Sequence, residues 1–589
     1  MNLLAELKRR NVLRAAALYI GAAWALSQGL AQLLPVFDIP NWVVRWFVIA
    51  AIIGFPFAML FSWFYEWTPH GIQRESEVAP DASVTRATGK KLDRWIIAVL
   101  SLALVLLLAD KLVLHKDAAS ALDKSVAVLP LVNESGDPQQ DYFSDGLSEE
   151  LISAIAQVPA IKVIGRSSSF RFRGREQDDS ASIGVKLGVA TLLEGTVRKQ
   201  GEQVRIVASL IKAADGSALW SHTYDRELKD VFAVQSDIAT SVAGALKSAL
   251  LGKTIESADK PPSGNLDAYN ALLQGRFFAE RRDRADYLKA VDYFEQAIKL
   301  DPNYMMAYAR LAIAHQWFND WIANTEERKT TTPLARSNAE KAVALDAQSA
   351  VAVGALGINQ AWSDFDFKAG EATLKRAVAL DPSNAETLYQ LADVTASLGR
   401  IDEALAMMRK VLTMEPLNAS FHFYTGQYLL ALGRVDEAEA ELKRAVELQP
   451  SAEGVRLYLT LAYIKHGRFD EAMATAKTEP NDAFRRFALT MSHFASGDTA
   501  AGQASLADMI RLDADFGPGD VADVYAYLGD TDQALAWLDR AWQSRDTFIV
   551  SIFEDPILFP KLRNDPRFAA FCKKAGLPPP DQVRVNPAS

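Results

Sequence analysis

The chain of 589 residues exceeds what one hydrophobic core organises and is expected to divide into several domains. Its 63 lysines and arginines stand against 73 aspartates and glutamates, and the resulting charge of -10 argues against nucleic acid as a general partner, because phosphate binding needs a concentrated basic surface. The single cysteine, Cys572, excludes an intramolecular disulfide framework and any multi-cysteine metal site.

The acidic average conceals a different N-terminus over residues 1–116. Three apolar runs, about 15–34, 46–65 and 95–114, each have the roughly 20 residues that a helix needs to cross a bilayer. Trp42, Trp46, Trp63, Tyr65, Trp67 and Trp95 sit near their ends, where an interfacial aromatic belt would place them. A buried core helix is the plainer alternative for each run. Lys8, Arg9, Arg10 and Arg14 precede the first run, and Arg74, Arg86, Lys90, Lys91 and Arg94 lie between the second and third. The connection between the first two runs has only Arg45. Positive charge stays on the cytoplasmic side, so this distribution predicts a multi-pass inner-membrane protein with a cytoplasmic N-terminus. Everything beyond about residue 116 then lies across the bilayer, in a Gram-negative periplasm. Two further runs after the first argue against a cleaved signal peptide.

Residues 124–252 read as one α+β domain. Ser125–Leu129 is a buried strand ended by Pro130, and Leu147, Leu151, Ile152 and Ile155 recur at helical spacing between Gly146 and Val158. A strand is expected over 161–164 and a short helix over 180–187. Alternating runs 191–199 and 203–212 flank Gln200-Gly201-Glu202, a hairpin signal. A strand near 219–224 and a helix over 231–250 complete a mixed sheet with helices on one face.

The next region is periodic. Pro382, Pro416 and Pro450 fall 34 residues apart, with Gly399, Gly433 and Gly467, and Ala404, Ala438 and Ala472, in step. Glycine lets the chain turn out of one helix, alanine lets the second approach closely, and proline ends it for want of an N–H. This pattern resembles tetratricopeptide repeats and predicts an all-α solenoid over 266–545, with seven or eight helical hairpins and its loosest units near 318–340 and 480–515. Residues 546–589 resemble the cap and tail that cover the apolar face of an end repeat.

The α+β region also carries a resemblance. Ser125-Val-Ala-Val-Leu-Pro130, Asp141-Tyr-Phe-Ser-Asp-Gly-Leu-Ser-Glu-Glu-Leu151, Gly165-Arg-Ser-Ser-Ser-Phe170, Leu193-Glu-Gly-Thr-Val197 and Leu219-Trp-Ser-His-Thr-Tyr-Asp-Arg226 resemble the TolB-like domain that precedes tetratricopeptide repeats in proteobacterial envelope proteins. Glu6–Val12 and Trp67–Ile72 are similar to the membrane segment of that family. Relatives join these modules to a winged-helix regulator, as in CadC-type receptors, or to a class III adenylate cyclase. Neither output domain is expected here, since 14 residues before the first run and roughly 28 between the second and third are too few to form one.

Motifs for chemistry are weak, and neither enzyme activity, cofactor nor metal is expected. Gly252-Lys253-Thr254 ends like a phosphate-binding loop, but Lys247 stands where the first glycine belongs. The seven histidines fall in no two-histidine metal spacing, and His422 reads as a packing residue of the repeat. Glu149-Glu150 reads as the dipole-favoured start of a helix capped by Asp145 or Ser148. Arg171, Arg173 and Arg175, interleaved with Phe170 and Phe172, form either a solvated loop edge or an anionic contact. Repeat register places Glu386, Tyr389 and Asp393, then Ser420, Phe423 and Gln427, on the face that lines the concave surface. This polar and aromatic mixture suits a protein or peptide segment. The expected function is therefore a membrane-anchored periplasmic scaffold that binds other proteins, with a transmembrane signalling component as the alternative; a homo-oligomer is left open.

Overall fold

The computed structural model describes residues 124–158, 161–174, 178–245, 260–281, 283–323, 325–513 and 517–583, with short stretches between 16 and 74. The chain divides into two compact units, Met1–Ala121 and Leu122–Ser589.

In the first unit the described parts of the two leading apolar runs, among them 19–21, 48–52 and 54–59, are helical. Tyr19 joins them: its hydroxyl donates to the Ala51 carbonyl at 2.9 Å, and its ring meets Phe55 edge to face at 5.7 Å. Tyr65, the last residue expected of the second run, opens a strand, Tyr65–Thr68 (β1), which pairs antiparallel with Gly71–Arg74 (β2). Tyr65, Trp67 and Thr68 are aromatic or β-branched, types that favour a strand. Among the described residues no helix is long and apolar enough to cross a membrane. The third run, 95–114, lies outside the described residues.

The second unit opens with the expected mixed sheet. Ser125–Val128 (β3) lies parallel to Lys162–Ile164 (β5) and to Thr191–Gln200 (β6), and the short Val132–Asn133 (β4) also joins β6. Gln203–Lys212 (β7) and Ala218–Glu227 (β8) extend the sheet antiparallel beyond β6. The helix Asp141–Ala156 (α1) begins five residues before the expected Gly146, because Pro138–Gln140 turns directly into it and Phe143 already faces the core at 1% exposure. Alternation along the strands sends Val126, Val128, Leu193 and Val197 toward α1 and the helix Val231–Ala245 (α4). The intervening Ala127, Ile164, Leu192 and Ile211 point the other way, where the expectation of helices on one face fails. That second face is covered by the helix Ser180–Leu187 (α3) and by Leu417 of the helical array.

Eight helical hairpins follow: Leu266–Ala279 with Arg284–Leu300 (α5, α6), Met305–Trp321 with Thr325–Leu345 (α7, α8), Ala350–Ile358 with Phe367–Leu380 (α9, α10) and Ala385–Ser397 with Ile401–Met414 (α11, α12). Ala419–Ala431 with Val435–Leu448 (α13, α14), Val455–Lys465 with Phe469–Ala476 (α15, α16), Asp482–Ala495 with Thr499–Asp513 (α17, α18) and Pro518–Leu528 with Thr531–Ser544 (α19, α20) complete them. Asn384 and Asn418 cap α11 and α13 by accepting from Thr387 and Phe421 N–H groups. Gly433 has φ 71° and open space where a side chain would begin, so glycine is needed there for the backbone alone. Ala404, Ala438 and Ala472 are fully buried, as close helix contact requires.

The array returns on itself. After a wide turn at Asn359–Ser363 the Ser363 carbonyl accepts from Arg545 Nη1 at 2.6 Å, and Phe365 stacks on Trp542 at 5.4 Å. Phe365 and Arg545, with φ 57° and 54°, are the non-glycine residues in the left-handed region among those described. Both therefore lie at this closure, where tertiary contacts offset local backbone strain. The C-terminal helices Leu558–Leu562 (α21) and Pro566–Lys574 (α22) share a core with α9, α10, α11 and the last hairpin. Val583 reaches Gly399. Cys572 is buried there, and burial pushes its thiol up to about 12, so it stays protonated.

Candidate functional site

The curvature of the array encloses a concave cavity of about 1140 Å³. Its wall is built from the first helices of successive hairpins, and all six residues that the register places on the concave face line it: Glu386, Tyr389, Asp393, Ser420, Phe423 and Gln427. The rings form a continuous ladder. Tyr389 lies 4.8 Å from Tyr424, Tyr424 lies 5.1 Å from Phe423, and Phe423 meets Tyr458 edge to face at 5.3 Å. Gln427 donates to the Tyr458 hydroxyl at 3.1 Å, and Gln390 to the exposed Glu386 at 3.4 Å. Sequence register overlooked Tyr424 and Tyr458. They occupy the position just after Phe423 in the same 34-residue beat, which was the signal available for them.

One end of the cavity, its mouth, is lined by the α+β domain through Arg166, Ser167, Phe170 and Arg171. Its segment Arg166–Ser169 (α2) is held by Glu415, the residue before Pro416, which accepts from Ser167 N–H at 3.2 Å, Ser167 Oγ at 2.8 Å and Ser168 N–H at 2.7 Å. Ser168 Oγ accepts in return from Leu417 N–H at 2.9 Å, and Gly165 N–H donates to the Met414 carbonyl at 3.0 Å. Gly165 has no room for a side chain, since an added Cβ would lie 2.1 Å from Glu415. Sequence reasoning did not foresee this joint.

At this mouth positive charge is matched. Glu149 pairs with Arg276, with Arg166 at 3.3 Å and with Arg310 at 3.9 Å, while Arg166 also meets Glu280 at 3.0 Å. Burial works against the charged carboxylate, but Arg276, Arg166 and Arg310 outweigh it and hold Glu149 at about 2. Glu149 is thus an ion-pair hub and not a helix-start device. The caps expected of its neighbours are also absent, because α1 starts at Asp141: Asp145 pairs with Arg173, and Ser148 Oγ donates to the Ser144 carbonyl while accepting from Leu131 N–H. Arg171 donates to the Leu448 carbonyl at 2.6 Å. Arg173 lies 5.3 Å over the Phe170 ring, and Arg175 falls outside the described residues. His422 is a packing residue, bonded to Glu441 at 2.5 Å and to the Pro416 carbonyl at 3.1 Å.

Another part of the lining, the floor, is acidic. Asp320, Asp393, Asp520, Asp546, Glu554 and Asp555 all line the cavity there. Burial raises each of these carboxyls above its ordinary range, Asp320 and Asp393 to about 7. Among the described residues no group of histidine, cysteine and acidic side chains has the arrangement to hold a metal ion.

Models of the tetratricopeptide repeat match residues 283–304, 389–453 and 429–487, which fall on this array. The helical region carries tetratricopeptide repeats. A curated relative, a putative adenylate cyclase of Rhizobium meliloti, is 33% identical over 208 residues, which is 35% of either chain. The chain thus spans about a third of that relative's length. Among solved structures, a tetratricopeptide protein of Thermus thermophilus is 22% identical over 33% of this chain and 99% of its own, with TM-score 0.29. PilF of Pseudomonas aeruginosa is 17% identical over 35% and 91%, with TM-score 0.30.

Proposed function

We propose that the protein is a scaffold whose tetratricopeptide array holds a peptide segment of a partner protein in its concave cavity, without catalysis of its own. The observation that carries this reading is the ladder Tyr389, Tyr424, Phe423 and Tyr458, which offers rigid aromatic area beside the amides of Gln390 and Gln427. Such surfaces suit peptide backbones and apolar side chains together. The finer reading places the scaffold on the periplasmic face of an inner membrane, anchored by the apolar N-terminal runs, with residues 124–252 as a TolB-like domain. Ile20, Ile52 and Phe57, at 58%, 66% and 68% exposure, give those runs an apolar exterior suited to lipid. The arginine and lysine asymmetry supports the stated orientation.

A second reading rests on the relative named a putative adenylate cyclase. On that reading the chain is a signalling component that passes partner binding across the membrane to a separate output protein.

The test is photocrosslinking in intact cells from a crosslinker at Ser420, an exposed position on the cavity wall. Crosslinks to a defined protein segment that disappear in Tyr389→Ala with Phe423→Ala, while the melting curve persists, are the expected result. Crosslinks that survive the double substitution unchanged would move the partner off this face.

A further inference from the structure

The mouth and the floor of the cavity treat charge differently. At the mouth, Arg166 and Arg276 already have carboxylate partners, and Arg284 is bound by Glu327. Some carboxyls of the floor have structural duties: Asp555 accepts from Ile557 and Leu558 N–H, Asp546 from Gly519 and Phe548 N–H, and Asp393 from the Tyr428 hydroxyl at 3.1 Å. Glu554 has none. It lines the cavity at 1% exposure, and its Oε1 lacks any hydrogen-bond partner. Among the described residues, cations act on the neighbouring acids: Lys465 on Asp555 and Asp523, and Arg328 on Asp320 and Asp546. Arg328 is also engaged, donating from Nε to the Asn319 carbonyl at 2.9 Å.

We propose that the floor of the cavity is a cation site, centred on Glu554, that takes the guanidinium or ammonium group of a basic side chain in the bound peptide. An unpaired carboxyl shut away from water is costly, and an entering cation removes that cost by ion pairing where the surroundings screen it little. A planar guanidinium offers several donors at once and so can satisfy the orphaned Oε1 together with neighbouring acids. In the empty cavity burial and the neighbouring Asp393 and Asp555 favour the protonated form of Glu554, so binding a cation displaces protons. Tyr424, Tyr428 and Tyr458 flank the acids, and burial pushes their hydroxyls up, so they remain neutral donors. The volume of about 1140 Å³ exceeds one side chain and leaves room for the peptide that carries it. This inference rests on the concave cavity being the peptide face; a free polyamine would offer the same chemistry.

Calorimetric titration of the purified full-length chain tests it with three probes: acetyl-Gly-Arg-Gly amide, its citrulline isostere and spermidine. The arginine peptide should bind at least tenfold more tightly than the citrulline peptide, and Glu554→Gln should abolish that preference. Asp520→Asn, a second and independent floor variant, should reduce it. Titrations in two buffers of different ionisation enthalpy should show proton release with the arginine probe and none with citrulline, a readout that needs no mutant. Binding of spermidine alone, with the same dependence on Glu554, would support the cation site with a free amine as its occupant. Equal binding of the two peptides with no spermidine binding, or no binding by any probe, would overturn the proposal. Crosslinks from Ser420 that depend on Tyr389 and Phe423 would still stand in that case, so the scaffold reading fails separately.

Discussion

The mouth and the floor of the concave cavity bury ionisable groups with opposite outcomes. At the mouth one carboxylate, Glu149, meets three arginines drawn from α2, α5 and α7, and is held ionised at about 2. On the floor six carboxyls meet few cations, and burial drives them toward the protonated form. The difference teaches that burial alone does not set charge state; the supply of counter-charge does. The mouth is thereby a finished structural joint, whereas the floor retains unmet capacity.

The most disruptive way to break this contrast is Glu149→Gln, which removes the carboxylate shared by three arginines. Removing one partner from a buried ion cluster should cost about 3–5 kcal/mol, seen as a lower denaturant midpoint of the full chain. Glu149 also has a defined pH signature. Its folded pKa lies below the ordinary 4.5, so its stabilisation is complete above that value and is lost as pH falls toward about 2. The floor acts in reverse: Asp320 and Asp393 are raised from 3.8 to about 7, so they lower stability progressively as pH rises through that window. Melting temperature against pH should show a steep acid limb that Glu149→Gln flattens, and a decline toward neutrality that Asp393→Asn reduces.

A smaller effect is expected at the joint between the domains. Glu415 is satisfied by neutral donors instead of arginines, and Glu415→Gln turns an amide toward the Ser167 and Ser168 N–H groups. A loss of about 1.5–3 kcal/mol is expected, read as faster hydrogen exchange at those two amides with the repeat core unchanged. The walls between mouth and floor depend on hairpin spacing. Ala438 is fully buried, so Ala438→Leu should overpack α13 against α14 by about 1–3 kcal/mol and lower the melting temperature.

The wall was legible in the sequence because the 34-residue beat repeats a local physical rule: a glycine turn, a small contact residue and a helix-ending proline. Tyr389 and Phe423 follow from that register, and the structure sets both on the cavity wall. The floor was not legible, because Asp320 and Asp393 come from separate hairpins and Glu554 from the turn after the last one, segments far apart in sequence that meet where the array returns on itself at Ser363 and Arg545. Glu149 looked like a helix-start residue, since its three arginines lie beyond any local pattern. Glu415 occupies a position that reads as a helix end, and nothing nearby marks its role in holding α2.

The charge state of the floor is open to direct observation by infrared difference spectroscopy of the full chain, comparing wild type with Glu554→Gln at neutral pH. The account predicts a protonated carboxylic C=O band in the wild type that weakens in the variant, with no corresponding band assigned to Glu149 when Glu149→Gln is compared. Only ionised carboxylate bands at neutral pH, unchanged by Glu554→Gln, would contradict it.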